Sequence, residues 1–89
     1  MERREFRFTG RVQGVGFRAT ARVVASGHAV TGWVRNDPAG SVTAQVQGEA
    51  RDLDAFLGDL RRAMARNIET VSATAVPLIA GEAVFEVRR

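Results

Sequence analysis

The chain has no cysteine, and that absence excludes a disulfide scaffold, a thiol nucleophile and a thiolate metal site. Lysine is missing too. All 13 basic residues are arginines, which stay charged at any accessible pH, so a net charge of only +3 carries the pI to about 11.3. That pI therefore does not by itself mark a nucleic-acid-binding protein. No apolar run is long enough to cross a bilayer, and the opening Met1-Glu2-Arg3-Arg4-Glu5 leads into an alternating strand rather than the apolar core of a signal peptide. A secreted domain of this size usually needs covalent staples, so a cytoplasmic setting with no membrane association is expected.

Acid is also missing where it is most informative. From Phe6 to Asn36 there is no Asp or Glu, while Arg7, Arg11, Arg18, Arg22 and Arg35 all lie there. From Asp37 to Arg89, 6 arginines stand against 8 acids. The first third of the chain thus carries a positive field that nothing local neutralises, which suits an anionic ligand.

What is present is a modest apolar fraction, 45%, over 89 residues, enough for one small core and one domain spanning residues 1–89. Phe6, Phe8, Gly10 and Val12 alternate with Glu5, Arg7, Thr9 and Arg11, which predicts a half-buried strand over 5–12. Gln13-Gly14-Val15-Gly16-Phe17 reads as a loop. A helix follows over 18–26 with Phe17, Ala21, Val24 and Ala25 inward and Gly27 as its stop. A second strand over 30–35 enters the turn Asn36-Asp37-Pro38-Ala39-Gly40, and a third covers 42–47. Leu53, Phe56, Leu57, Leu60 and Met64 fall on one stripe of a helix over 50–66. Strands over 68–76 and 83–88 complete the chain, the last with Phe85 and Val87 inward. This order predicts an α+β ferredoxin-like sandwich, βαββαβ with an extra C-terminal strand. Its two helices share one face of a mostly antiparallel sheet.

The segment Gln13-Gly14-Val15-Gly16-Phe17-Arg18 joins a strand to a helix N-terminus. Such a junction can aim backbone N–H groups into one concavity, where the helix dipole adds positive charge. Two glycines there fit an ordinary tight turn as well as an anion cradle. Arg18 adds a cation to the first helical turn, the wrong end of the dipole, at a cost of about 0.3–1 kcal/mol with no acid nearby to relieve it. It reads either as half of an oxyanion site or as a side chain reaching solvent or a distant acid. Asn36 sits in a turn-forming context that accounts for it structurally. It becomes a site residue only if the second strand ends beside the first helix.

Gly10-Arg11-Val12-Gln13-Gly14-Val15-Gly16-Phe17-Arg18 resembles the signature of the acylphosphatase family. Thr31-Gly32-Trp33-Val34-Arg35-Asn36, followed by Asp37-Pro38-Ala39-Gly40-Ser41-Val42, resembles its second signature, and Gly48 and Phe85-x-Val87 also fit. The resemblance implies hydrolysis of small-molecule acyl phosphates to a carboxylate and inorganic phosphate by a monomer with no cofactor, metal or covalent intermediate. It implies that Gln13, Gly14, Val15, Gly16, Phe17 and Arg18 bind the phosphate and that Asn36 orients the attacking water, Arg18 and Asn36 being the catalytic pair. The chain departs from the family's usual pattern at Ala19-Thr20, His28-Ala29 and Asn67-Ile68, positions that bear on the acyl pocket. Alternative readings are a non-catalytic anion-binding domain, the related domain of a hydrogenase-maturation protein, and a ferredoxin-like RNA-binding module. An RNA-binding module would need stacking aromatics on its third strand, and Ser41–Gln47 has none. No nucleic-acid partner is expected. His28, the lone histidine, is expected to pack rather than to act as ligand or base.

Overall fold

The computed structural model describes residues 1–89. Its elements run β1 Glu2–Gly10, α1 Phe17–Ser26, β2 Thr31–Asn36, β3 Val42–Gly48, α2 Ala50–Ala63, β4 Ile68–Ala75 and β5 Phe85–Val87. The sheet order is β4-β1-β3-β2-β5. β1 pairs antiparallel with β3 and β4, and β2 antiparallel with β3, whereas β5 adds to β2 in parallel. Both helices bury their apolar stripes on one face of this mixed sheet. The fold is the ferredoxin-like α+β sandwich that the order of elements predicts.

Period-two alternation sets the two sheet faces. Phe6 and Phe8 of β1, Val34 of β2 and Val42, Ala44 and Val46 of β3 point toward the helices and are buried. They meet Phe17, Ala21 and Ala25 of α1 and Leu53, Phe56 and Leu60 of α2. Aromatic rings run through this core: Phe8 lies 5.0 Å from Phe17, and Phe56 lies 5.8 Å from Phe85, which anchors the short last strand. The centroid spacings fall in the range where offset and tilted pairs add about 0.5–1.5 kcal/mol beyond area burial.

Three boundaries differ from the pattern-based reading. β1 begins at Glu2, not Glu5, and ends at Gly10, although Val12 beyond it is still buried. α2 stops at Ala63, three residues early, because Met64 turns its side chain into the core and the Asn67 carbonyl accepts the Arg11 N–H at 2.9 Å. β5 is only Phe85–Val87; Phe85 packs inward, but Val87 is 37% exposed.

The early start of β1 depends on Arg3, a residue whose charge would ordinarily keep it at the surface. It lies on the sheet face away from the helices, and its side chain is fully buried. Its Nη1 and Nη2 donate to the two Glu82 oxygens at 2.8 and 3.0 Å, and Nε donates to Gln45 at 2.9 Å. Thr31 donates to the same carboxylate at 2.6 Å. The segment linking β4 to β5 is thereby tied across that face, helped by two hydrogen bonds between Gln47 and the Ile79 backbone.

Burial pushes the Glu82 carboxyl up, but the hydrogen bonds from Arg3 and Thr31 and the Arg3 charge outweigh it and hold the group below the ordinary glutamate value. A carboxyl depressed in the folded state contributes stability that is complete above the unfolded value, about 4.3, and is lost as pH falls through the folded value. Glu82→Gln leaves a buried guanidinium without a counter-ion and is expected to cost about 2–3 kcal/mol at pH 7. In urea unfolding, the gap between wild type and variant should shrink markedly at pH 3. A gap independent of pH would contradict the ion pair's role.

The same sheet face carries one aromatic, Trp33, which is 5% exposed. The Arg35 and Arg88 guanidinium carbons lie 4.9 and 4.8 Å from its ring centroid. The indole is covered by its own arginines, and the third strand presents Thr43, Gln45 and Gln47 beside it. No exposed stacking platform forms on this face.

Candidate active site

The site grows from a backbone break that only glycine accommodates cheaply. β1 ends at Gly10, and the chain must turn from the end of that strand into α1 within six residues. Gly14 and Gly16 take φ of 75° and 76°, with Gly16 the N-cap of α1 in the left-handed conformation. A Cβ at either position would meet nothing within 4 Å, so it is backbone conformation, not crowding, that selects glycine there. The left-handed cap supplies no side-chain acceptor to the helix start, and the first turn contains no acid. The first backbone bond of α1 runs from the Thr20 N–H to the Gly16 carbonyl at 3.0 Å, which leaves the N–H groups of Phe17, Arg18 and Ala19 without a backbone acceptor. A helix start with free donors and no negative side chain is an anion-seeking surface.

Gln13 fixes this loop to the rest of the fold. Its Nε2 donates to the carbonyls of Asp37 and Ser41 at 2.7 and 2.9 Å, both in the turn after β2. That turn is itself braced by Asp37, whose carboxylate accepts from the Ser41 and Thr43 hydroxyls at 2.8 and 2.7 Å and faces the Arg35 guanidinium. Burial pushes the Asp37 carboxyl up, yet the two hydroxyls and Arg35 prevail and keep it below its ordinary value. The result is a latch between the glycine loop and the end of β2, the position of Asn36.

A groove of about 780 Å³ opens at this junction. Gly14, Gly16, Phe17, Arg18 and Asn36 all line it, so the fold gathers residues from both sequence signatures into one cavity. Gln13 and Val15 do not line it: Gln13's side chain is committed to the latch, and Val15 is exposed. Arg18 makes no ion pair. Its Nη1 donates to the Arg88 carbonyl at 2.9 Å, an anchor that orients the guanidinium and leaves its charge unneutralised. Asn36 closes β2 opposite Val42. Its amide takes part in none of the chain's side-chain hydrogen bonds and keeps its donors and acceptor free.

The cavity extends beyond the residues that the sequence singles out. Ala19, Arg22, Val23 and Ser26 continue along α1, and Val87 and Arg89 face them from the last strand and its tail. Arg22 and Ser26 follow Arg18 at four-residue spacing, a regularity legible in the sequence once one face of the helix is known to be the wall. Val87 and Arg89 carry no such local signal, since the parallel pairing of β5 with β2 brings them here. Thr20, one of the atypical positions, does not line the groove, whereas the small Ala19 does and leaves it open. His28 lies elsewhere, with Nε2 2.7 Å from Asp59 of α2, where it joins the end of one helix to the other. The Asp59 carboxyl, which also meets Arg62, is held below its ordinary value chiefly by that histidine. No three His, Cys, Asp or Glu side chains cluster as a metal site would require. No helix is long and apolar enough to cross a membrane.

Comparison with known proteins agrees with this architecture. The acylphosphatase family model matches residues 4–87. An acylphosphatase of Clostridium acetobutylicum is 35% identical over 88 residues, covering 98% of this chain and 97% of its own length. That of Oceanobacillus iheyensis is 47% identical over 53 residues, 60% of this chain and 58% of its own length. The crystal structure of acylphosphatase from Bacillus subtilis superposes with a TM-score of 0.88 at 26% identity, with both chains covered in full. With a family model spanning nearly the whole chain and a relative aligned end to end, the glycine loop, Arg18 and the turn at Asn36 belong to an enzyme of the acylphosphatase family.

Proposed function

We propose that this chain hydrolyses the carboxyl–phosphate bond of small acyl phosphates, giving a carboxylate and inorganic phosphate, with Arg18 and Asn36 as the catalytic residues. The observation that carries the reading is the convergence, in one acid-free groove, of unpaired helix-start N–H groups, an unneutralised guanidinium and a free amide.

The phosphate oxygens accept hydrogen bonds from the backbone N–H groups of the Gln13–Arg18 loop and from Arg18, whose planar fork matches two oxygens at once. These donors hold the phosphorus and stabilise the charge spread over its equatorial oxygens in the transition state. The Asn36 amide orients a water in line with the scissile P–O bond. As water attacks phosphorus, that bond breaks and its electron pair leaves on the carboxylate, a good leaving group that needs no general acid. The proton given up by the water passes to a phosphate oxygen, whose second ionisation near pH 6 makes it a competent base. No Cys, His, Asp or Glu side chain lines the groove, so no carboxylate or imidazole side chain competes with the phosphate oxygen for the water's proton. The one hydroxyl there, Ser26, donates to the Val23 carbonyl and sits about 12 Å along the helix from Arg18, too remote to act as nucleophile. Positioning and charge supply the catalysis.

The proposal takes residues 1–89 as one unit working as a monomer in the cytoplasm, in keeping with a cysteine-free core closed by packing alone. The test is release of phosphate from benzoyl phosphate in the presence of a chelator. Turnover well above the spontaneous rate, competitively inhibited by inorganic phosphate, is expected. A rate no greater than the background would sink the reading.

A further inference from the structure

The groove carries its charge on arginine alone. Arg18, Arg22 and Arg89 line it, and no acid does. Arg3, Arg4, Arg35, Arg62 and Arg88 face carboxylates, whereas none of the three in the groove does. Arg22 and Arg89 stand on opposite walls, one on α1 and the other in the tail after β5. Arg22 is one turn beyond Arg18, about 6 Å along the helix axis. The rest of the lining offers no amine, thiol, imidazole or phenol. Its single hydroxyl, on Ser26, is bound to the Val23 carbonyl.

That lining matters because an acyl phosphate is a mixed anhydride with two electrophilic centres. Attack by water at phosphorus hydrolyses it, but attack by an amine at the carbonyl carbon acylates the amine. We infer that Arg22 and Arg89 supply the groove's positive field in a form the substrate cannot acylate, so that position 22 or 89 becomes an acylation site once it holds lysine. This rests on the proposal that the groove receives acyl phosphates, and not on the route by which they are hydrolysed. A guanidinium stays protonated in proteins and has no lone pair to offer. A lysine ammonium gives up its proton more readily. The other cations of the groove would hold its pKa below the ordinary value of about 10.4, and no carboxylate in the lining would oppose them. Its flexible stem also carries the amine toward an acyl group leaving the cradle, and proximity turns a slow bimolecular encounter into an intramolecular step. In that step the neutral Nζ bonds to the carbonyl carbon. The C–O bond to phosphate breaks with its electron pair on phosphate, and the amine's proton passes to a phosphate oxygen, leaving an amide and inorganic phosphate. Arginine lets the same walls draw in an anion without being consumed by it.

The test puts a groove lysine and a surface lysine in one molecule. In Arg22→Lys/Arg61→Lys, position 22 lines the groove and position 61 is exposed on α2 outside it. After incubation with benzoyl phosphate, peptide mapping by mass spectrometry should find Nε-benzoylation at least about tenfold faster at position 22 than at position 61. Saturating inorganic phosphate should abolish that excess by occupying the cradle, and should leave the rate at position 61 unchanged. The wild-type chain should carry no adduct on any groove residue. Arg89→Lys/Arg61→Lys repeats the measurement from the opposite wall, so the result does not hang on one variant's folding. Rates at positions 22 and 89 that both match position 61, or an excess that phosphate does not suppress, overturn the inference. Hydrolysis of benzoyl phosphate at only the background rate, with the excess intact, removes the hydrolytic reading and leaves this one standing. Hydrolysis with no excess does the reverse.

Discussion

Replacing Arg18 with alanine is expected to lower kcat/KM for benzoyl phosphate by about 10³-fold or more and to abolish inhibition by inorganic phosphate. The expectation follows from where the guanidinium sits. It is the one cation beside the free N–H groups of Phe17, Arg18 and Ala19, it has no carboxylate partner, and the Arg88 carbonyl holds it in place. Its charge is therefore fully available to an anion, and a donor of that kind in a preorganised site is worth several kcal/mol in the transition state. Arg18→Lys should restore part of the binding and little of the rate, since an ammonium keeps the charge but cannot bridge two oxygens. Stability is the control. A cation in the first turn of a helix opposes the dipole by about 0.3–1 kcal/mol, which roughly offsets the loss of the exposed hydrogen bond to Arg88, so Tm should change little. A variant within tenfold of wild-type activity, still inhibited by phosphate, would refute the assignment.

That Arg18 can be singled out at all shows which parts of the molecule local pattern encodes. Period-two alternation in Phe6 and Phe8 and the helical stripe from Leu53 to Leu60 express contacts with a single core, and those elements form as the pattern indicates. The Gly14-x-Gly16 loop and the acid-free stretch around Arg18 are likewise local facts, and the fold turns both into one wall of the groove. What pattern does not carry is pairing at a distance. Arg3 is buried because Glu82, 79 residues later, returns across the sheet to meet it. Nothing near Arg3 in sequence announces that return, and the alternation that marks the strand is clean only from Glu5 onward. Gln13 reads as one more phosphate-loop residue because its acceptors, Asp37 and Ser41, lie 24 and 28 positions on. Val87 and Arg89 reach the groove only through a parallel pairing that no turn signal predicts. For Asn36 the sequence alone shows a turn-former; the latch from Gln13 is what sets that turn beside the cradle.

Asn36→Ala should therefore separate binding from chemistry. Turnover is expected to fall about 10²- to 10³-fold, the usual cost of one preorganised polar group at the reacting centre, while competitive inhibition by phosphate is retained. The division follows from chemistry and placement together. A neutral amide adds little to the affinity for a dianion already met by Arg18 and the loop, but it can fix the direction from which water approaches phosphorus. The fold should tolerate the change, because the Asn36 side chain makes none of the hydrogen bonds that brace the turn. Those belong to Gln13, Asp37, Ser41 and Thr43. Asn36→Asp is the sharper companion. It keeps size and shape but sets a negative charge beside the phosphate, so it should weaken inhibition by phosphate as well as slow turnover, and low salt should make the loss worse. If Asn36→Ala instead loses phosphate affinity to the same degree as Arg18→Ala, the amide belongs to the anion cradle, and the attacking water must be oriented by the loop itself.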